Sequence, residues 1–231
     1  MVASVVSRRS HTSGLLNSAH GPAGRTRSSA AGEVAVVFFL IEAALWTEHR
    51  TQLVWTLAAL GSVLFFVFRK RPLREELGFR LPPPGSVSGT LLVTLGLAAG
   101  LLLVGWWTGS WDPRRPAWPP VGHPALYAAW TVAQEFLLQS FFFLHLEQAL
   151  GNGRRAVVAA AALFSLAHLP SPVLTFATFA GGLLFCEMFR RYRSLYLPAA
   201  AHPLLALTLA EAFSMALLNH MRVGIGYLHA H

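Results

Sequence analysis

Charge is what this sequence has least of. Asp, Glu, Lys and Arg together make up 12% of its 231 residues, against 54% hydrophobic residues and a mean hydropathy of +0.49. A soluble domain carries about twice that charged fraction, so a water-facing globule is excluded. Cysteine is nearly absent too. Cys186 stands alone inside an apolar run, which rules out an intrachain disulfide and fits a buried structural thiol. Acidic residues number ten against eighteen basic ones, giving a formal charge of +8 and a sequence pI of about 11.0. In a soluble chain that balance would point to nucleic acid. Here the basic residues cluster between apolar runs, so membrane topology accounts for them and no nucleic-acid partner is expected. An internal repeat, a glycine-rich phosphate loop and an HExxH zinc motif are also missing.

What is there is a series of apolar segments, at about 34–48, 52–68, 87–107, 123–149, 155–169, 173–189 and 195–219. They predict an all-α, polytopic membrane helix bundle of about seven spans. The length suits one compact domain, 33–231, behind a basic cytoplasmic tail at 1–32. That tail is rich in Ser, Gly, Ala and Arg, has no acidic residue, and lacks the continuous apolar core of a cleaved signal peptide. It is expected to be disordered. With the N-terminus inside, the inner segments hold Arg8, Arg9, Arg25, Arg27, Arg69, Lys70, Arg71, Arg74, Arg80, Arg154, Arg155, Arg190, Arg191 and Arg193. The outer ones hold only Arg50, Arg114, Arg115 and Arg222. This asymmetry obeys the positive-inside rule. The expected outer loop GWWTGSWDPRRPAWPP carries four tryptophans, as an interfacial belt would.

Ionisable groups inside apolar runs are expensive and usually face a partner or a cavity. Glu147 and Glu187 lie near expected inner ends, beside Arg154 and Arg190, and read as snorkelling interfacial acids. Glu42 reads as structural. Glu211 follows His202 by nine residues and so points to the opposite side of its helix. Glu135, within AQEFLLQS, His168 and His202 sit on three different spans. Counted from the inner ends they lie roughly 22, 20 and 11 Å deep at 1.5 Å per residue.

That set suits hydrolysis. A desolvated carboxylate can act as general base towards water. Histidines beside it can orient the water or stabilise an oxyanion. Two His and one Glu also make a plausible zinc set, but the spacing gives metal no support, and neither metal nor cofactor is expected.

At these residues the sequence resembles the CAAX prenyl endopeptidase and bacteriocin-processing (CPBP) family of glutamic-type intramembrane proteases. The resemblance rests on three motifs in order across about residues 70–215. The family's Glu-Glu-x-x-x-Arg reads here Gln134-Glu135-Phe-Leu-Leu-Gln139. Its Phe-x-x-x-His is intact as Phe164-Ser-Leu-Ala-His168. Its His-x-x-x-Asn reads His202-Pro-Leu-Leu-Ala206. The resemblance implies Glu135, His168 and His202 as catalytic residues, supported by Gln134, Gln139 and Phe164, with Glu135 as base. Gln139 lies one turn after Glu135 and can share its face. The Gln-Glu-x-x-x-Gln form is similar to that of the bacterial myxosortases. The implied substrate is a membrane-anchored protein or peptide in the lipid bilayer, and the implied location the bacterial inner membrane. The departures at Gln134, Gln139 and Ala206 keep a second reading open, a catalytically silent scaffold or immunity factor. A transporter or proton relay is a third, though no paired half-helix pattern supports it.

Overall fold

The computed structural model describes residues 22–69, 72–111, 124–214 and 216–229. Among them all regular structure is helical, as the apolar segments require. The helices are α1 (Pro22–Trp46), α2 (His49–Phe68), α3 (Ser86–Trp107), α4 (Pro124–Glu135), α5 (Leu144–Leu150), α6 (Gly153–Leu166), α7 (Pro172–Tyr192), α8 (Tyr196–Ala212) and the short α9 (Ile225–Leu228). A π-helical segment, Phe136–Phe143, joins α4 to α5 in one rod. Four helices are long and apolar enough to cross a membrane: Arg27–Trp46 within α1, α2, α3 and α7. At 14 and 17 residues, α6 and α8 fall short of the ~20 that a bilayer asks for.

Local chemistry sets the element ends. Asn152 caps α6, its side-chain oxygen accepting from the Arg154 and Arg155 amides at 2.9 and 3.1 Å. Pro172 opens α7, where its missing N–H costs nothing. α1 starts earlier than its apolar run, at Pro22, so residues 22–32 belong to a helix rather than to the expected tail. The buried Ala30 and Glu33 explain this: the Glu33 carboxylate meets Arg69 from the end of α2 and His145 from α5. The rest of the expected tail, 1–21, lies outside the described residues, as do Arg114, Arg115 and Trp118 of the expected outer loop.

Contacts between elements then fix the bundle. α1 packs on α2 and α5, α3 on α8, and α6 on α7. The α6–α7 hairpin is close because its facing residues are small. An added Cβ at Gly182 would sit 3.0 Å from the Ala161 Cα, and Ala156, Ala160 and Ala161 are fully buried. Small residues of this kind let helix backbones approach in a membrane. The central core is aromatic: Phe141 and Phe143 of the rod, and Phe189 of α7, are wholly buried. Outward-facing Leu91, Leu92, Leu103 and Trp107 are more than half exposed, as a lipid-facing surface requires.

One end of the bundle is ionic. Glu147 pairs with Arg193 at 2.6 Å, and Glu187 with Arg190 and Arg191 at 2.6 Å each. The partner of Glu147 is thus not Arg154, its neighbour in sequence, but the residue that ends α7. Arg193 also lies over the Phe143 ring, 5.5 Å from its centroid.

The last helix is shorter than expected. It stops at Ala212 rather than residue 219, and Phe213 is extended (φ −121°, ψ 153°). The chain then folds back. Gly224 donates its N–H to the Leu169 carbonyl at 2.7 Å and packs against the Leu45 backbone. Its φ of 55° and that contact leave no room for a side chain.

Candidate active site

Glu135 is the last residue before the rod changes pitch. π-Helical turns are rare and occur mostly at functional sites. Here the wider turn carries a run, Leu138–Phe143, that is buried without interruption. Two tethers hold it. Ser140 donates its hydroxyl to the Leu77 carbonyl at 2.7 Å, and His145 bonds the Phe141 carbonyl through Nδ1 at 2.8 Å.

The Glu135 carboxylate is fully buried and engaged on both oxygens. Oε1 lies 2.8 Å from His202 Nδ1 of α8. Oε2 accepts from Gln139 Nε2 at 2.9 Å, one turn along the rod. The His202 ring is stacked on Phe185, with centroids 5.0 Å apart and planes at 22°. The edge contact of Phe164 lies 5.9 Å away. His168 sits in the turn that follows α6, and its Nδ1 bonds the Phe164 carbonyl at 2.7 Å. The Phe164 ring touches His168 as well, at 4.8 Å, so it stands between the two imidazoles.

The three ionisable residues and Gln139 and Phe164 are therefore gathered around one point, although Glu135 and His202 are 67 residues apart. Counted from the expected inner ends, the three residues bracket the midplane, and the start of α8 helps to bring His202 to Glu135. Ser194 and Leu195, just before it, are buried. They bond Arg80 and Gly78 at 2.9 and 2.8 Å. α8 thus begins inside the bundle.

Gln134 is half-buried, and its side chain makes no hydrogen bond among the described residues. Ala206 offers no polar group. Glu211 is half-buried on α8 and takes no part. Glu42 accepts from Trp46 Nε1 at 3.0 Å, away from the site. Among the described residues no three His, Cys, Asp or Glu side chains are grouped to hold a metal ion.

Sequence reasoning missed Phe185, the pitch change, and the pair Glu33–His145. His145 carried the usual signal, a polar residue in an apolar run. Phe185 carried none, since a stacking Phe looks like any core Phe.

No curated protein and no solved structure matches the chain. A family model does: residues 116–208 match the family described as Rce1-like, type II CAAX prenyl endopeptidase Rce1-like. The matched stretch contains Glu135, Gln139, Phe164, His168 and His202. The family is one of proteases, and the apolar helices make the chain an integral membrane protein. Over residues 116–208 the chain is similar to the Rce1-like CAAX prenyl endopeptidase family.

Proposed function

We propose that this chain is an intramembrane endopeptidase. It hydrolyses a peptide bond near or within the membrane anchor of a substrate protein. Glu135, His168 and His202 activate and hold the water, and Gln134, Gln139 and Phe164 support them. The observation that carries the reading is the hydrogen bond between Glu135 and His202, a buried carboxylate–imidazole pair supplied by two separate helices. Polar groups are costly in an apolar bundle, and here the second partner of the carboxylate is the Gln139 amide rather than a cation. Seven spans with the N-terminus inside, in a bacterial inner membrane, complete the proposal. The ionic end supports one side for the start of α1 and the ends of α2, α5 and α7. The Gln134-Glu135-x-x-x-Gln139 form supports a myxosortase-like branch.

The apolar Ala206 favours a second reading, a silent scaffold that binds membrane peptides. One experiment separates the two. Termini of membrane proteins are sequenced by mass spectrometry from cells carrying the native chain or Glu135→Gln. The amide keeps the size of the side chain and loses its charge. A protease loses a defined set of cleaved termini in the variant. Identical termini in both cell lines leave the scaffold.

A further inference from the structure

The pair Glu135–His202 can activate water in two ways, with the carboxylate as base or with the imidazole as base. We infer that the base is Nε2 of His202, and that Glu135 is a positioning residue acting through it. The inference rests on the proteolytic reading and assigns roles within it.

The geometry is unequal for the two groups. Glu135 is 0% exposed, and each of its oxygens already accepts a hydrogen bond, from His202 Nδ1 and from Gln139 Nε2. His202 is 8% exposed and has a protein partner on Nδ1 alone. Among the described residues, the buried side-chain atoms without a hydrogen bond are Glu33 Oε2, Glu42 Oε1, Trp111 Nε1, Gln139 Oε1 and Ser171 Oγ. His202 Nε2 is not one of them, so it is neither bonded to protein nor sealed off.

The tautomer follows. A carboxylate oxygen accepts, so Nδ1 carries the proton and the neutral ring keeps its lone pair on Nε2. This is the logic of a carboxylate that orients a histidine without itself taking a proton. Phe185 against the ring face and Phe164 against its edge hold the imidazole in that orientation. His168 is fixed in the same way. Its Nδ1 meets a backbone carbonyl, which can only accept, so neutral His168 also presents a bare Nε2. A neutral ring in that state cannot donate to an oxyanion. It can accept from water, and so orient it.

The step balances without a co-reactant. Water gives a proton to His202 Nε2 while its oxygen bonds the peptide carbonyl carbon, and the carbonyl π pair moves to oxygen. When the C=O re-forms, the C–N bond breaks and the leaving nitrogen takes the proton from Nε2. The products are a new carboxyl terminus and a new amine.

The test uses the full-length protein in lipid nanodiscs, labelled with ¹⁵N-histidine, with the His202 signals assigned by their loss in His202→Gln. The expected spectrum at neutral pH has Nδ1 protonated and Nε2 bare. Glu135→Leu should remove that bias. In parallel, cleavage of an acyl-anchored, quenched-fluorescent peptide library is followed against pH. The pH at which cleavage is half lost should coincide with protonation of His202 Nε2. A ring protonated on Nε2 at neutral pH, or a cleavage midpoint unrelated to its titration, overturns the assignment while leaving the protease intact. No cleavage of any library member, with the expected tautomer present, takes down the proteolytic reading and the base with it.

Discussion

Among the described residues two buried carboxylate–histidine pairs occur, and they are wired in opposite senses. At the ionic end Glu33 meets Nε2 of His145 at 3.2 Å, while Nδ1 of the same ring is spent on the Phe141 carbonyl. Arg69 neutralises the carboxylate from the other side. In the candidate site Glu135 meets Nδ1 of His202 and leaves Nε2 open, with an amide rather than a cation as its second partner. The residue types are the same. In the first pair both ring nitrogens face a protein oxygen, Nδ1 the Phe141 carbonyl and Nε2 the Glu33 carboxylate. The second keeps one in reserve, and a nitrogen in reserve is what chemistry needs. Burial and residue identity alone would have graded the two pairs alike.

That contrast can be broken most sharply at the histidines. His202→Ala should lower cleavage by about 10²–10⁴-fold, the usual worth of a general acid–base group. His145→Ala should leave cleavage per folded molecule near the native rate. Both are read in the anchored-peptide assay, normalised to folded protein by size-exclusion chromatography. Equal losses at the two sites would erase the distinction.

A smaller effect is expected on stability. Breaking a fully buried ion pair costs about 3–5 kcal/mol. The Arg69 side chain is one-third exposed, which discounts this, so Glu33→Ala should cost about 2–3 kcal/mol. Denaturant unfolding in mild detergent measures it. An unchanged midpoint would mean that the ionic end is ornamental. Smallest is Gln139→Leu. It removes one hydrogen bond to a charged group, worth about 1.5–3 kcal/mol at most, and should slow cleavage about tenfold without changing the thermal midpoint by more than a few degrees. A native rate in this variant would show that the amide contributes nothing to positioning Glu135.

Much of this architecture was legible in the sequence. Each of the seven apolar segments falls on a helix, in order α1, α2, α3, the rod, α6, α7 and α8, because apolar runs of that length have few alternatives to helix. Glu135, His168 and His202 were visible as polar residues in such runs, and the order of their motifs linked them. What was illegible depended on contacts made across the chain. The way α8 is seated was not legible, because Ser194 and Leu195 are held by the loop at Gly78 and Arg80. The partner of Glu147 was not legible, because the fold delivers Arg193 from 46 residues away. The π turn has no residue signature of its own. Ser140 and His145 make their hydrogen bonds along the same stretch of rod.

The hook at Gly224 has a practical side. Its amide grips the carbonyl of Leu169, the residue next to His168, and its backbone rests on α1 at Leu45. Gly224 therefore acts as a clasp between α1 and the turn that joins α6 to α7. Removing it will loosen the turn on which His168 is mounted.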